Sequence, residues 1–181
     1  EYHYLTQNDS ALQIVQTTLD NMARGGTYDH LGGGFARYST DDKWKTPHFE
    51  KMLYDNAQLV SLYAHAYQVT KELNYRNVAE RTLMFVTREL MSEEGGFYSS
   101  INADSEGGEG KYYTWSREEI DGVCGDDAAL IASYYNVTTV GNFEPGENVL
   151  HITTEEDDFL KRNALSPEQW KQKLAESVHK L

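Results

Sequence analysis

Apolar positions recur at helical spacing along most of the chain. Leu12, Val15, Leu19 and Met22 follow at intervals of 3, 4 and 3 and predict an amphipathic helix. Ser10 opens it, with Gln13 completing a capping box. Gly25-Gly26 ends it, because glycine takes the left-handed turn without a steric penalty. Thr46-Pro47 predicts the start of a second helix, proline being suited to the first helical position. From Phe49 to Tyr67 apolar side chains occupy nearly every face, so this helix is expected to be buried all round. Its polar members His48, Glu50, Asp55, Asn56 and His65 then need partners. After a short turn at Leu73-Asn74-Tyr75 a third helix runs to about Leu90, with Val78, Phe85 and Val86 inward. Ser116-Arg117-Glu118-Glu119 is a capping box for a short fourth helix, and Asp126 to Tyr135 reads as a fifth. Ser166-Pro167-Glu168-Gln169 caps the last, which turns Trp170, Leu174, Val178 and Leu181 inward. Between Asn136 and Thr153 the pattern changes: Val137, Val140, Val149 and Ile152 around Gly141 and Pro145-Gly146 predict a small β-hairpin or an extended excursion.

A repeat underlies these elements. Gly25-Gly26-Thr27-Tyr28 recurs as Gly95-Gly96-Phe97-Tyr98 at an offset of 70, while Gly33-Gly34-Phe35 matches Gly95-Gly96-Phe97 at an offset of 62. In either register the unit is two helices with one short and one long connection. Repeated helical hairpins stack or close into a ring, and alternating connections gather the long loops at one end. The expected fold is therefore all-α: one helical domain over residues 1–181, forming part of an α/α toroid. The chain begins at Glu1 without an initiator methionine and stops within a helical pattern, so it is expected to be a piece of a longer protein.

Composition narrows the partners. The formal charge of −13 repels phosphate backbones and argues against nucleic acid. No apolar run approaches the roughly 20 residues of a membrane span. Cys124 is the one cysteine, which excludes an internal disulfide and favours a reducing, cytoplasmic compartment. Asn8-Asp9-Ser10 and Asn136-Val137-Thr138 match the glycosylation triplet, a pattern common by chance. The 13 tyrosines and 3 tryptophans suit a sugar or polyol ligand, and equally suit wide helix seams with hydroxyls at the surface.

Two long loops and the segment after the first hold the candidate chemistry. In the first loop Asp29, His30 and Arg37 lie among glycines that allow close approach of backbone and ligand. In Pro47-His48-Phe49-Glu50-Lys51-Met52-Leu53-Tyr54-Asp55-Asn56, a helix would set His48 and Asp55 on one face and Glu50 and Tyr54 on another. The structural alternative is that Glu50 and Asp55 bond loop amides and hold them still. The second loop offers Asp104, Glu106 and Glu109, then Tyr113 and Trp115 as a stacking platform or as packing. Asp104 and Glu106 alternate as calcium ligands would, but the full EF-hand spacing is absent, and no metal or cofactor is expected. Paired carboxylates serve glycoside hydrolysis; histidine with a carboxylate serves proton abstraction in sugar epimerisation. The expected catalytic groups are His48 or His30 as base with Glu50 and Asp104 as acid/base carboxylates. Arg37, Asp55, Asn56 and Glu106 would bind and position the substrate, with Tyr113 and Trp115 stacking on it. A non-catalytic helical binding module is the other reading.

At Gly25 to Phe35, Pro47 to Ala57 and Ala103 to Trp115 the chain resembles the thioredoxin-domain-containing, spermatogenesis-associated protein 20-like family. The resemblance spans about Ser10 to Ile152. It implies a helical domain of the six-hairpin glycosidase type and an upstream thioredoxin-like domain as partner in the whole protein. Similarity to N-acylglucosamine 2-epimerases is weaker. It lies in the order of the Gly-Gly-Phe, the acidic loop, the long inner helix and the second glycine-containing loop.

Overall fold

The computed structural model describes residues 2–105 and 107–181; Glu106 therefore lies outside the described residues. The chain forms two compact units, one from residues up to Tyr28 with Gly32–Ala103, the other from Asp29–Leu31 with Asp104–Leu181. Both are helical, and four two-stranded antiparallel sheets lie among the described residues.

The first unit contains α1 (Tyr2–Thr6), α2 (Asp9–Arg24), β1 (Tyr38–Ser39), β2 (Pro47–His48), β3 (Lys51–Met52), α3 (Leu53–Thr70), α4 (Leu73–Phe85) and β4 (Ser100–Ile101), with a π-helical segment at Val86–Leu90. Helix α2 starts earlier than the Ser10 capping box predicts, because the Asn8 side chain accepts the Ala11 amide and caps first. Pro47 does not open a helix. It pairs with Ser39 in a two-stranded ribbon, where a residue without an N–H is tolerated because every strand is an edge. His48 and Glu50 thus lie on extended chain, and the expected helical faces joining them to Asp55 and Tyr54 do not exist. The helix begins at Leu53 once Lys51 and Met52 have paired with Ile101 and Ser100.

The core of this unit is aromatic. Leu19 and Ala23 of α2 meet Tyr63 and Ala66 of α3, and Tyr75, Val78 and Ala79 of α4. Phe35 enters from the loop at 5.5 Å from Tyr63 and 4.9 Å from Tyr28, centroid to centroid. Each fully buried large side chain contributes about 1.5–3 kcal/mol of transfer free energy. The Tyr63 hydroxyl keeps a partner by donating to the Leu19 carbonyl at 2.7 Å. Gly33 and Gly95 both have positive φ, and Phe35 and Phe97 each close a bridge to the chain before them, whereas Gly25 has φ −69°. The repeat register is therefore the offset of 62.

The second unit contains β5 (Asp104–Ser105), β6 (Gly108–Glu109), β7 (Thr114–Ser116), α5 (Arg117–Cys124), α6 (Ala128–Tyr134), β8 (Glu147–Val149), α7 (Glu156–Asn163) and α8 (Pro167–Lys180). Both predicted capping boxes are present, Ser116 with Glu119 and Ser166 with Gln169. The stretch near 137–152 is built of turns closed by a Glu144–Glu147 bridge, and its one strand, β8, pairs with β7. Tyr134, Phe159 and Trp170 interlock at 4.7–5.0 Å over Ile120, Cys124 and Ile131. Helix α7, acidic in its first turn and basic in its last, carries Phe159 into this core. No helix among the described residues is long and apolar enough to cross a membrane.

Candidate functional site

The Gly32-Gly33-Gly34-Phe35 turn is the footing of the site. Gly33 and Gly34 have φ of 78° and 79°, and a Cβ on Gly34 would strike the Phe85 ring. Three side chains fix its backbone. Arg88 on the π-helical segment donates to Gly32 O at 2.7 Å, and buried Lys51 donates to Gly33 O at 3.0 Å. Asn56 closes the set: its Oδ1 accepts from Phe35 N at 2.7 Å, and its Nδ2 donates to Phe35 O and Met52 O at 3.0 and 2.9 Å. Asn56 has no exposed surface, so it cannot touch a substrate as the sequence reading expects. It satisfies buried backbone instead.

This footing sets Arg37 over the extended segment that follows Pro47. The Arg37 amide donates to the Glu50 carbonyl at 2.9 Å, and its Nη1 reaches Glu50 Oε2 at 3.1 Å. His48 Nε2 stands 3.8 Å from the same oxygen, and its ring lies on Tyr38 at 5.1 Å. Neighbouring Tyr54 and Glu50 hold the Arg37 guanidinium above its ordinary range.

Asp55, in the first turn of α3, lies on the wall of a cleft of about 600 Å³. Its Oδ2 is enclosed and has no hydrogen-bond partner. Partial burial raises its carboxyl above the usual range; Arg37 opposes this and Glu50 adds to it. Arg37, Tyr38, Trp44, Gln58 and Leu59 share the cleft wall, whereas His48 and Glu50 connect to it through Arg37. Trp44 holds φ of 60°, a conformation a bulky residue rarely adopts. Asp41 keeps it there. Its Oδ1 accepts from the amides of Lys43 and Lys45 at 2.8 and 3.1 Å, and its Oδ2 from Thr46 at 2.8 Å. Burial alone would raise the Asp41 carboxyl, but these amides outweigh it and hold it at about 2. Sequence reasoning missed Asp41, Tyr38 and Trp44 as site formers. The available signal was an aromatic-rich loop too long to be a plain connection.

The first unit thus brings Arg37, His48, Glu50 and Asp55 together. Asn56 of the same unit is spent on the glycine turn, and His30, Asp104, Tyr113 and Trp115 belong to the second unit. His30 is buried there, its ring 5.3 Å from that of Tyr135. Asp104 is exposed on β5, opposite Glu109. Tyr113 sits edge-on to Tyr112 at 5.2 Å. Trp115 packs on the core of that unit, and its carbonyl accepts from buried Asn148, which also spans Thr138. This is the packing role rather than an open platform. The Asn136 side chain is engaged with His151 and Thr153, so its triplet is spent on loop structure.

No family model matches the sequence. Human spermatogenesis-associated protein 20 is 41% identical, over 83% of this chain and 22% of its own length. The rat protein of the same name is 40% identical over 81% and 21%. An uncharacterized protein of Caenorhabditis elegans is 36% identical over 73% and 20%. The chain therefore spans about a fifth of the curated relatives it matches. Among solved structures, a D-mannose isomerase aligns at 17% identity and a TM-score of 0.38, covering 65% of this chain and 31% of that one.

Proposed function

Over the stretch shared with these relatives the chain belongs to the spermatogenesis-associated protein 20 family, and on that premise we propose that its Arg37–Asp55 cleft binds a sugar or related polyol and transfers protons to and from it. The observation that carries the reading is Asp55. It is a carboxyl on the wall of a ligand-sized cleft, with one oxygen enclosed and without a donor. Such a group keeps its proton more readily than a solvated one and suits a general acid. Glu50, held between Arg37 and His48, is the complementary base. Hydrolysis and epimerisation both need this pair: an acid for the departing or enolic oxygen, and a base for water or for the carbon-bound proton. Tyr38 and Trp44 give the cleft flat apolar faces suited to a pyranose ring.

The binding-module alternative expects loop acids spent on loop backbone and no open cleft. Asp41 is spent in that way, but the cleft weighs for the ligand-handling reading. The helical hairpins further support the chain as a sector of an α/α toroid that, in the full-length protein, packs on a thioredoxin-like domain. The test is thermal shift of the full-length protein against a panel of sugars and polyols. A ligand that raises the Tm of the native protein, and fails to do so in Asp55→Asn and Glu50→Gln, supports the reading. Silence across the whole panel defeats it.

A further inference from the structure

The loop behind the cleft carries the reading one step further, to the shape of the ligand. Trp44 holds its place on the cleft wall against a backbone cost. Its φ of 60° is a conformation that a residue with a Cβ keeps only where its surroundings over-determine it. Lys71 and Ala164 share that conformation, but each caps a helix with it; Trp44 ends no helix. The surroundings fix Trp44 from two sides. Gly26 N donates to Trp44 O at 2.8 Å, and a Cβ on Gly25 would strike that same oxygen. Opposite, the Asp41 carboxylate accepts the amides of Lys43, Lys45 and Thr46, which flank the indole in sequence. The Thr46 carbonyl closes the loop by accepting from Thr40 N at 2.8 Å and from its hydroxyl at 2.9 Å.

The core of the unit does not use the indole so presented. Among the described residues it has no hydrogen-bond or ring partner, and its N–H is not enclosed. Met22 and Leu59, which share the cleft wall, pack on the aromatic core of the unit, and Trp44 is not among the side chains that do. Trp170, by contrast, is locked between Tyr134 and Phe159. A strained backbone kept around a side chain that the core leaves alone marks a functional position. We propose that Asp41 is a positioning residue of the cleft: by fixing the loop it holds the Trp44 indole as a rigid platform, and the platform selects a ring-closed sugar, which has a flat C–H face, over an open-chain polyol, which has none. This rests on the reading of the cleft as a polyol site.

Isothermal titration of the full-length protein with methyl β-D-glucopyranoside and D-glucitol separates the two ideas, because both ligands carry hydroxyls and only the first has a locked ring. The glucoside is expected to bind about tenfold tighter. In Trp44→Ala and in Asp41→Ala the ratio is expected to fall below about threefold, the remainder being the flexibility of the open chain. Asp41→Asn keeps an acceptor for Lys43 and Lys45 and is expected to lie between native and Asp41→Ala. The double variant Asp41→Ala/Trp44→Ala is expected to bind the glucoside no worse than Trp44→Ala alone, because Asp41 acts through the indole. A native ratio in either Asp41 variant, or a further loss in the double variant, overturns the positioning role. A native ratio in Trp44→Ala overturns the platform. Thermal melts check the strain by itself: Trp44→Gly is expected to melt about 2 °C above Trp44→Ala, and a lower melt overturns it. Equal binding of glucoside and glucitol by the native protein overturns the ring selectivity and leaves the polyol site standing. Binding of neither removes both the selectivity and the site it rests on.

Discussion

Asp55 and Asn56 are adjacent in sequence and opposite in consequence. The Asp55 carboxyl is raised by burial first, then by Glu50, against the pull of Arg37. A raised carboxyl favours the protonated fold, so its contribution is full below the unfolded-state pKa and is lost as pH rises through the folded one. Asp55→Asn removes that loss. The variant is expected to melt no lower than the native protein at about pH 7 and to surrender this advantage toward about pH 4, as thermal melts across pH report. Its ligand response is expected to vanish. Asn56 behaves in the reverse sense. Asn56→Ala orphans the N–H and C=O of buried Phe35 and is expected to cost about 2–4 kcal/mol in urea unfolding. Both residues looked alike in the sequence, as polar positions in an apolar run. Which one faces the cleft was decided by long-range contact with the glycine turn, and no local pattern records that.

At the scale of elements, the legible features were those whose partners lie within a few residues. The capping boxes of α5 and α8 are closed by residues three apart, and the stripes of α2 and α8 repeat within one helix. Ser116→Ala and Ser166→Ala are each expected to cost about 1 kcal/mol, read as a shift in urea midpoint. The segment at Pro47 was misread because proline fits a helix start and a ribbon edge equally well, and the deciding pairings are distant. Lys51 meets Ile101 and Tyr38 meets His48 only after the loops have folded. The π-helical turn after α4 left no periodic signature either, yet it carries Arg88 to Gly32. Gly34 tests how firmly that turn is packed. In Gly34→Ala a methyl group must displace the Phe85 ring at a backbone angle that L-residues avoid. A loss of about 2 kcal/mol or more is expected, measured by denaturant unfolding.

For the molecule as a whole, the charge of −13 bears on stability. Like charges spread over a small surface repel, and salt screens them within about 10 Å at 0.1 M. The Tm is therefore expected to climb as sodium chloride is raised from low to about 0.3 M, opposite to a fold held by surface ion pairs. The helical class followed from repeating apolar stripes, while the division into two units did not, because it depends on which aromatic clusters close on themselves. Those clusters separate the three tryptophans by environment: Trp170 is sealed in a core, Trp115 is half-buried against it, and Trp44 alone borders the cleft. The indole held at an unusual backbone angle is thus a built-in optical reporter. Excited at its red edge, the chain should signal occupancy through the emission of one residue, and replacing Trp44 with phenylalanine should silence that signal without any dye having been attached.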